Sequence, residues 1–275
     1  MRRPLSLALT PLIALAAALA TTPASAAMTA TVSVVHGIPK TPVNVFVNGK
    51  DLLPDFQPGT VAGPLSLPPG TYHIAVFPAA DTAGTGTPVI TATENLTAGE
   101  NASLVAHLTS AGAPTLTAYA NDTSPVPAGQ ARIVVRHDAA APAVDVRVNG
   151  HAAFTGLTNP GQVSALLPAG TVTADVVLAG TSTVVIGPAT LNLQAGTETI
   201  VYAIGSATDK TLGLVTQTIT GLGGAPVAVP AGSGGLAAPA APATASWVWG
   251  LAAAGALLLF AGLFSTIRRT VRARG

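Results

Sequence analysis

Hydrophobic and polar positions alternate with a period of two through most of this chain, and only near its two ends do apolar residues run on without a break. Residues 31–35 and 43–47 place β-branched and apolar side chains on alternate sides, the pattern of half-buried strands. Asn48-Gly49 closes the second of these segments, a dipeptide suited to a two-residue hairpin whose central positions both need positive φ. Further strands are predicted at residues 72–77, 88–96, 102–108 and 114–120, with Pro69-Gly70 marking a reversal before the first of them. About seven short strands with turns every ~8–12 residues suggest an immunoglobulin-like sandwich. A small barrel is the alternative, and helix is expected only at the chain ends.

The pattern then repeats. Residues 30–49 read ATVSVVHGIPKTPVNVFVNG and residues 131–150 read ARIVVRHDAAAPAVDVRVNG. Ungapped, they pair Val34 with Val135, His36 with His137, and Val47-Asn48-Gly49 with Val148-Asn149-Gly150. Leu67-Pro68-Pro69-Gly70-Thr71 recurs as Leu167-Pro168-Ala169-Gly170-Thr171, and Leu96-Thr97-Ala98-Gly99 as Leu193-Gln194-Ala195-Gly196. A period this long is a whole domain in tandem. Strands of the second copy are expected at residues 172–178, 183–193, 199–204 and 211–218. The modules are set at 30–124 and 131–220, with residues 125–130 as a linker.

The opening block of each copy, with its strand, His, Pro-containing loop and VDVRVNG-like strand and turn, resembles the domain of unknown function (DUF) 4397 family. The later LPAGT turn is similar to that family as well. The first copy departs from the pattern at Asn44, where the second has Asp145, and in its Gly37-Ile38-Pro39-Lys40 loop. The resemblance implies secreted or anchored bacterial proteins and no established activity.

The ends read differently. Arg2 and Arg3, an apolar run over 5–20 and Ala24-Ser25-Ala26 form a secretory signal with an A-x-A cleavage site, expected as an N-terminal signal helix over 1–26. Residues 247–267 carry no charge, open with Trp247 and Trp249, and are followed by Arg268, Arg269, Arg272 and Arg274. At ~1.5 Å per residue such a stretch spans a bilayer core, and the arginines hold the 268–275 tail on the cytoplasmic side. Gly, Pro, Ala and Ser dominate 221–246, which reads as a stalk. No convincing sortase motif precedes the span. The expected topology is single-pass type I, anchored in the cell membrane by its C-terminal helix.

Composition narrows the chemistry. Charged residues are only 8% of the chain, against roughly 25% in an average soluble protein. Between the apolar ends, six basic residues face eleven acidic ones, a balance of −5 that argues against nucleic acid as a partner. The absence of cysteine rules out disulfides, thiolate metal sites and cysteine nucleophiles.

The polar residues that recur are His36 and His137, each just ahead of a Pro-containing loop with Asn44 or Asp145 on the next strand. A His and a carboxylate so placed suit acid–base work or metal ligation. The competing role, an imidazole that pins its own loop, is favoured because the first copy offers an amide where the second has a carboxylate. His73, His107 and His151 have no counterparts in the other copy. No nucleophile elbow, zinc helix or phosphate loop is present. The expectation is a non-catalytic surface protein without cofactor or metal. It presents its modules to a cell-wall glycan or an envelope or host protein, or serves as a spacer. The alternative is an envelope enzyme or metal-binding module built on the repeated histidines.

Overall fold

The computed structural model describes residues 28–224; the expected signal segment, membrane span, basic tail and nearly all of the stalk lie outside them. The described chain is all-β: sixteen strands in four four-stranded sheets, arranged as two facing pairs. Among the described residues no helix is long and apolar enough to cross a membrane.

The first half runs β1 (Ala30–His36), β2 (Val43–Val47), β3 (Lys50–Phe56), β4 (Val61–Leu67), β5 (Gly70–Pro78), β6 (Ile90–Leu96), β7 (Asn101–Leu108) and β8 (Pro114–Ala120). The second runs β9 (Gln130–Ala140), β10 (Val144–Val148), β11 (His151–Leu157), β12 (Gly161–Pro168), β13 (Gly170–Leu178), β14 (Val184–Leu193), β15 (Glu198–Ser206) and β16 (Gly213–Ile219). Sheet orders β4-β1-β7-β8 and β3-β2-β5-β6 in the first half return as β12-β9-β15-β16 and β11-β10-β13-β14 in the second. In both halves the first strand pairs in parallel with the seventh.

The Asn-Gly dipeptides form the two-residue turns their chemistry suits. Asn48 and Gly49 have φ of 50° and 76°, and Val47 pairs with Lys50 directly across the turn. Asn149 and Gly150 repeat this at 52° and 79°. Pro69-Gly70 is a corner rather than a hairpin. It carries the chain from β4, which pairs with β1, to β5, which pairs with β2.

Each half fills its interior from alternate strand positions. Val32, Val34, Val45, Ile74, Val76 and Leu104 lie in the first core, and Ile133, Val135, Val146, Val176, Leu193 and Val201 in the second. A third cluster lies between the halves. It joins Val35, Val105 and Tyr119 of sheet β4-β1-β7-β8 to Val134, Ile200, Tyr202, Ile204 and Val215 of sheet β12-β9-β15-β16. The outer faces of two sheets thus pack on one another, and the layers stack four deep. Every residue of β15 is buried.

The segment read as linker and residues 221–224, the described start of the segment read as stalk, take part in this packing. Val126 is fully buried and its N–H donates to Leu222 O at 2.7 Å. Leu222 N in turn donates to Gly196 O at 2.9 Å, and Leu222 is itself buried. The described residues accordingly fall within one compact unit.

Candidate functional site at the seam between the halves

The repeated histidines sit at equivalent places and make equivalent bonds. His36 Nε2 donates to Thr41 O at 2.8 Å and His137 Nε2 to Pro142 O at 3.0 Å, each across its own loop. Both rings are buried. Burial lowers the His36 pKa, and the Thr41 bond opposes that shift.

Asn44 and Asp145 occupy matched positions on β2 and β10 and hold backbone rather than a histidine. Asn44 Oδ1 accepts Asp55 N at 2.8 Å, and its Nδ2 donates to Ala79 O and Asp81 O at 3.1 and 2.9 Å. Asp145 accepts Gly156 N at 2.7 Å and Gly180 N at 2.8 Å, and these bonds, Gly180 foremost, hold its carboxyl below the usual range. An amide suits the first half, where it meets two carbonyls and one N–H; a carboxylate suits the second, where it meets two N–H groups. Among the described residues no three His, Cys, Asp or Glu side chains gather in a way that could hold a metal ion.

The densest polar arrangement is at the seam, and its centre is Arg136. The β9 residues that face away from the second core are Arg132, Val134, Arg136 and Asp138, which align with Thr31, Ser33, Val35 and Gly37 of β1 and its loop. Arg136 is 1% exposed and donates to Gln162 Oε1, Tyr202 Oη and Asn121 Oδ1 at 3.0, 2.9 and 2.8 Å. Its guanidinium also lies over the Tyr119 ring, 4.3 Å from the centroid. Tyr202 Oη donates onward to Gln217 Oε1 at 2.6 Å, and Ser103 Oγ donates to the same oxygen at 3.0 Å. Asn121 Nδ2 donates to Ser103 Oγ at 3.0 Å, which closes a ring of five side chains. Ser103 and Asn121 come from the first half; Arg136, Tyr202 and Gln217 come from the second.

Beside this ring, Tyr119 Oη donates to Asp138 Oδ1 at 2.6 Å, again across the seam. His107 Nδ1 donates to Leu108 O at 3.0 Å, so Nε2 is left to accept Thr117 Oγ1 at 2.8 Å, and Asp138 Oδ1 lies 3.8 Å from it. Asp138 is fully buried with Oδ2 unpartnered. Desolvation raises its pKa, opposed first by the neighbouring His107. Burial, with Asp138 close by, also drives the Tyr119 phenol well above its ordinary value. A phenol bonded to a carboxylate, with a His 3.8 Å from the same oxygen, has the makings of acid–base chemistry. Here they are sealed off, since the side chains of His107 and Asp138 are both 0% exposed. What the arrangement can do is hold two sheets in register.

Gly37 lets the sheets approach. A Cβ there would lie 2.9 Å from Ile204 Cγ2 and 3.1 Å from Ala106 O. On one open side of the seam, Arg132 donates to Asp122 O and Ser124 Oγ and lies 3.4 Å from Glu198 Oε2. Glu198 is fully buried, its Oε1 has no partner, and desolvation raises its pKa against the pull of Arg132.

The repeat singled out His36, His137 and Asp145, each of which lies in its own loop latch. It passed over Arg136, Asp138, Tyr119, Tyr202 and His107. The signal for these was contrast between the copies: where β1 has Thr31, Val35 and then Gly37, β9 has Arg132, Arg136 and Asp138.

Residues 30–147 match the family model described as "Domain of unknown function (DUF4397)". The matched stretch takes in β1 to β9 and ends within β10. No curated protein matches the sequence. Among solved structures, a similar chain is the Bacillus anthracis TIE protein, at 14% identity and a TM-score of 0.23, covering 61% of this chain and 32% of that one.

Proposed function

We propose that this is a non-catalytic cell-surface protein whose two tandem, immunoglobulin-like DUF4397 modules form a single rigid head. The head is held outside the membrane on a short stalk and a C-terminal helix, to bind a ligand of the envelope or its surroundings or to space one away. The observation that carries this reading is the Arg136 ring. Flexibly linked modules have no use for a buried arginine bonded to both, whereas a presenting head gains a fixed geometry from it. The recurring histidines support the same reading, since each is spent on its own loop. The signal-like and span-like segments supply the topology.

Cell fractionation tests the proposal. The full chain belongs in the membrane fraction, with residues 28–224 removable by protease added to intact cells. A chain ending at residue 246 belongs in the medium. A full chain recovered soluble from the cytosol, or protected from external protease, contradicts it.

A further inference from the structure

We propose that the pocket on one open side of the seam binds a single pyranose unit of a glycan. The pocket lies where the outward face of β9 and β12 meets the end of β8, and its volume is about 180 Å³. That is below the ~300–1,000 Å³ of sites for drug-sized ligands. At ~30 Å³ per water it holds the equivalent of about six waters, the scale of one sugar ring with its hydroxyls.

The lining selects the chemistry. Arg132 and Arg136 are matched in number by Asp122 and Glu198. A small anion there meets two carboxylates and a small cation meets two guanidiniums. A neutral ligand carrying both donors and acceptors meets neither penalty. Glu198 supplies the anchor: it is fully buried, it lines the pocket, and its Oε1 has no protein partner. A buried carboxylate oxygen without a partner is costly unless a donor reaches it; Oε1 is closed to solvent in this structure, and a turn of the Glu198 side chain brings it to a sugar hydroxyl. Ser164 and Gln162 add exposed hydrogen-bonding groups on β12; the Gln162 amide oxygen is already engaged by Arg136, which leaves its nitrogen to donate. Ala120, Val134 and Val163 provide apolar surface for the C–H faces of a ring.

The inference rests on the surface-protein reading only for the source of the sugar. Binding is measured on the purified full chain in detergent micelles, so its failure leaves the fractionation result untouched. The probes are D-glucose, D-galactose and N-acetylglucosamine, followed by saturation-transfer difference NMR. At least one is expected to bind with a dissociation constant on the order of millimolar, and Ser164→Trp is expected to weaken it by at least about tenfold. Ser164 is exposed on the pocket rim and outside the buried ring, so this variant is expected to keep the wild-type thermal midpoint. Glu198→Gln should lose binding as well. The proposal is overturned if none of the three sugars binds at tens of millimolar, if inorganic phosphate displaces them, or if binding survives Ser164→Trp.

Discussion

Replacing Arg136 with methionine keeps most of the side-chain volume while removing the guanidinium's polar contacts at the centre of the seam. The wild-type guanidinium makes three side-chain hydrogen bonds, two of them to fully or nearly buried partners. A hydrogen bond to a charged group contributes about 1.5–3 kcal/mol net. The partners are not all orphaned by the change. Tyr202 keeps Gln217, so the Ser103 hydroxyl, 3.2 Å from Asn121 Oδ1, is free to turn from Gln217 to that oxygen, and Gln162 reaches water. On the other side of the balance, Asp138 and Glu198 lose a cation that favours their ionised forms. The net loss therefore falls near the lower end of the cost of breaking a buried ionic contact, about 3 kcal/mol. In a cooperative unit of this size each ~1 kcal/mol moves the midpoint by about 2–4 °C, so a fall of roughly 6–12 °C is expected.

Scanning calorimetry of the full chain reads this directly. The wild type should melt its β-structure in one transition, and Arg136→Met in two as the halves uncouple. Arg147→Met is the control, because that arginine pairs with Asp175 on the outer sheet, away from the seam. Methionine packed into a buried ionic site can be neutral or stabilising. A midpoint unchanged or raised, with one transition retained, would refute the view that the polar ring holds the halves together.

Three further outcomes are expected. Gly37→Val drives a branched side chain against Ile204 and the Ala106 carbonyl; overpacking of this kind costs about 1–3 kcal/mol, read as an earlier denaturant midpoint. Asn44→Ala strips two carbonyls and one N–H of their partner, an expected loss of about 2–3 kcal/mol by urea unfolding, and a midpoint unmoved would show the latch to be idle. Burial raises Asp138 above its ordinary 3.8, so the folded chain holds a proton that the unfolded chain releases. Relative to Asp138→Asn, wild-type stability is then full below that value and lost as pH rises through the folded pKa. His36 runs the other way, since burial lowers it from 6.5 against the opposing Thr41 bond. Relative to His36→Asn, stability is present above 6.5 and lost as pH falls through the folded value. Parallel urea curves across pH check both signs; flat differences would contradict them.

Much of the fold was legible in the chain because strand alternation and turn chemistry are local. The Asn-Gly turns fall where positive φ is required, and the sheets of the two halves share one strand order. β3 and β4 were passed over for a physical reason. Both are exposed along much of their length and interrupted by Pro54 and Pro64, so neither shows a clean apolar face. β11 and β12 are as hard to read, since small and polar residues (Ala152, Ala153, Thr155, Gly156, Gln162, Ser164, Ala165) surround their few large apolar ones.

The seam was harder to see. Thr31, Ser33 and Asn101 are what a solvated sheet face looks like, and a period-two reading assigns that face to water. Recognising it as an interface requires knowing that Val134, Ile200, Tyr202 and Ile204 stand opposite, which is a long-range fact. The −5 balance survives, since Arg132, Arg136, Asp138 and Glu198 leave the surface in equal numbers of each sign. The linker and stalk readings rest on Gly, Pro, Ala and Ser composition. Val126 and Leu222 are the apolar residues within those segments that packing recruits.

The rigid head is most directly tested by distance measurement, and the cysteine-free chain makes this simple. Spin labels at Thr91→Cys and Thr190→Cys sit on exposed positions of the two outermost sheets. Pulsed electron–electron resonance should give one narrow distance distribution in the full chain, broadened by the added change Arg136→Met. A broad or multimodal distribution in the otherwise unaltered chain would contradict the account.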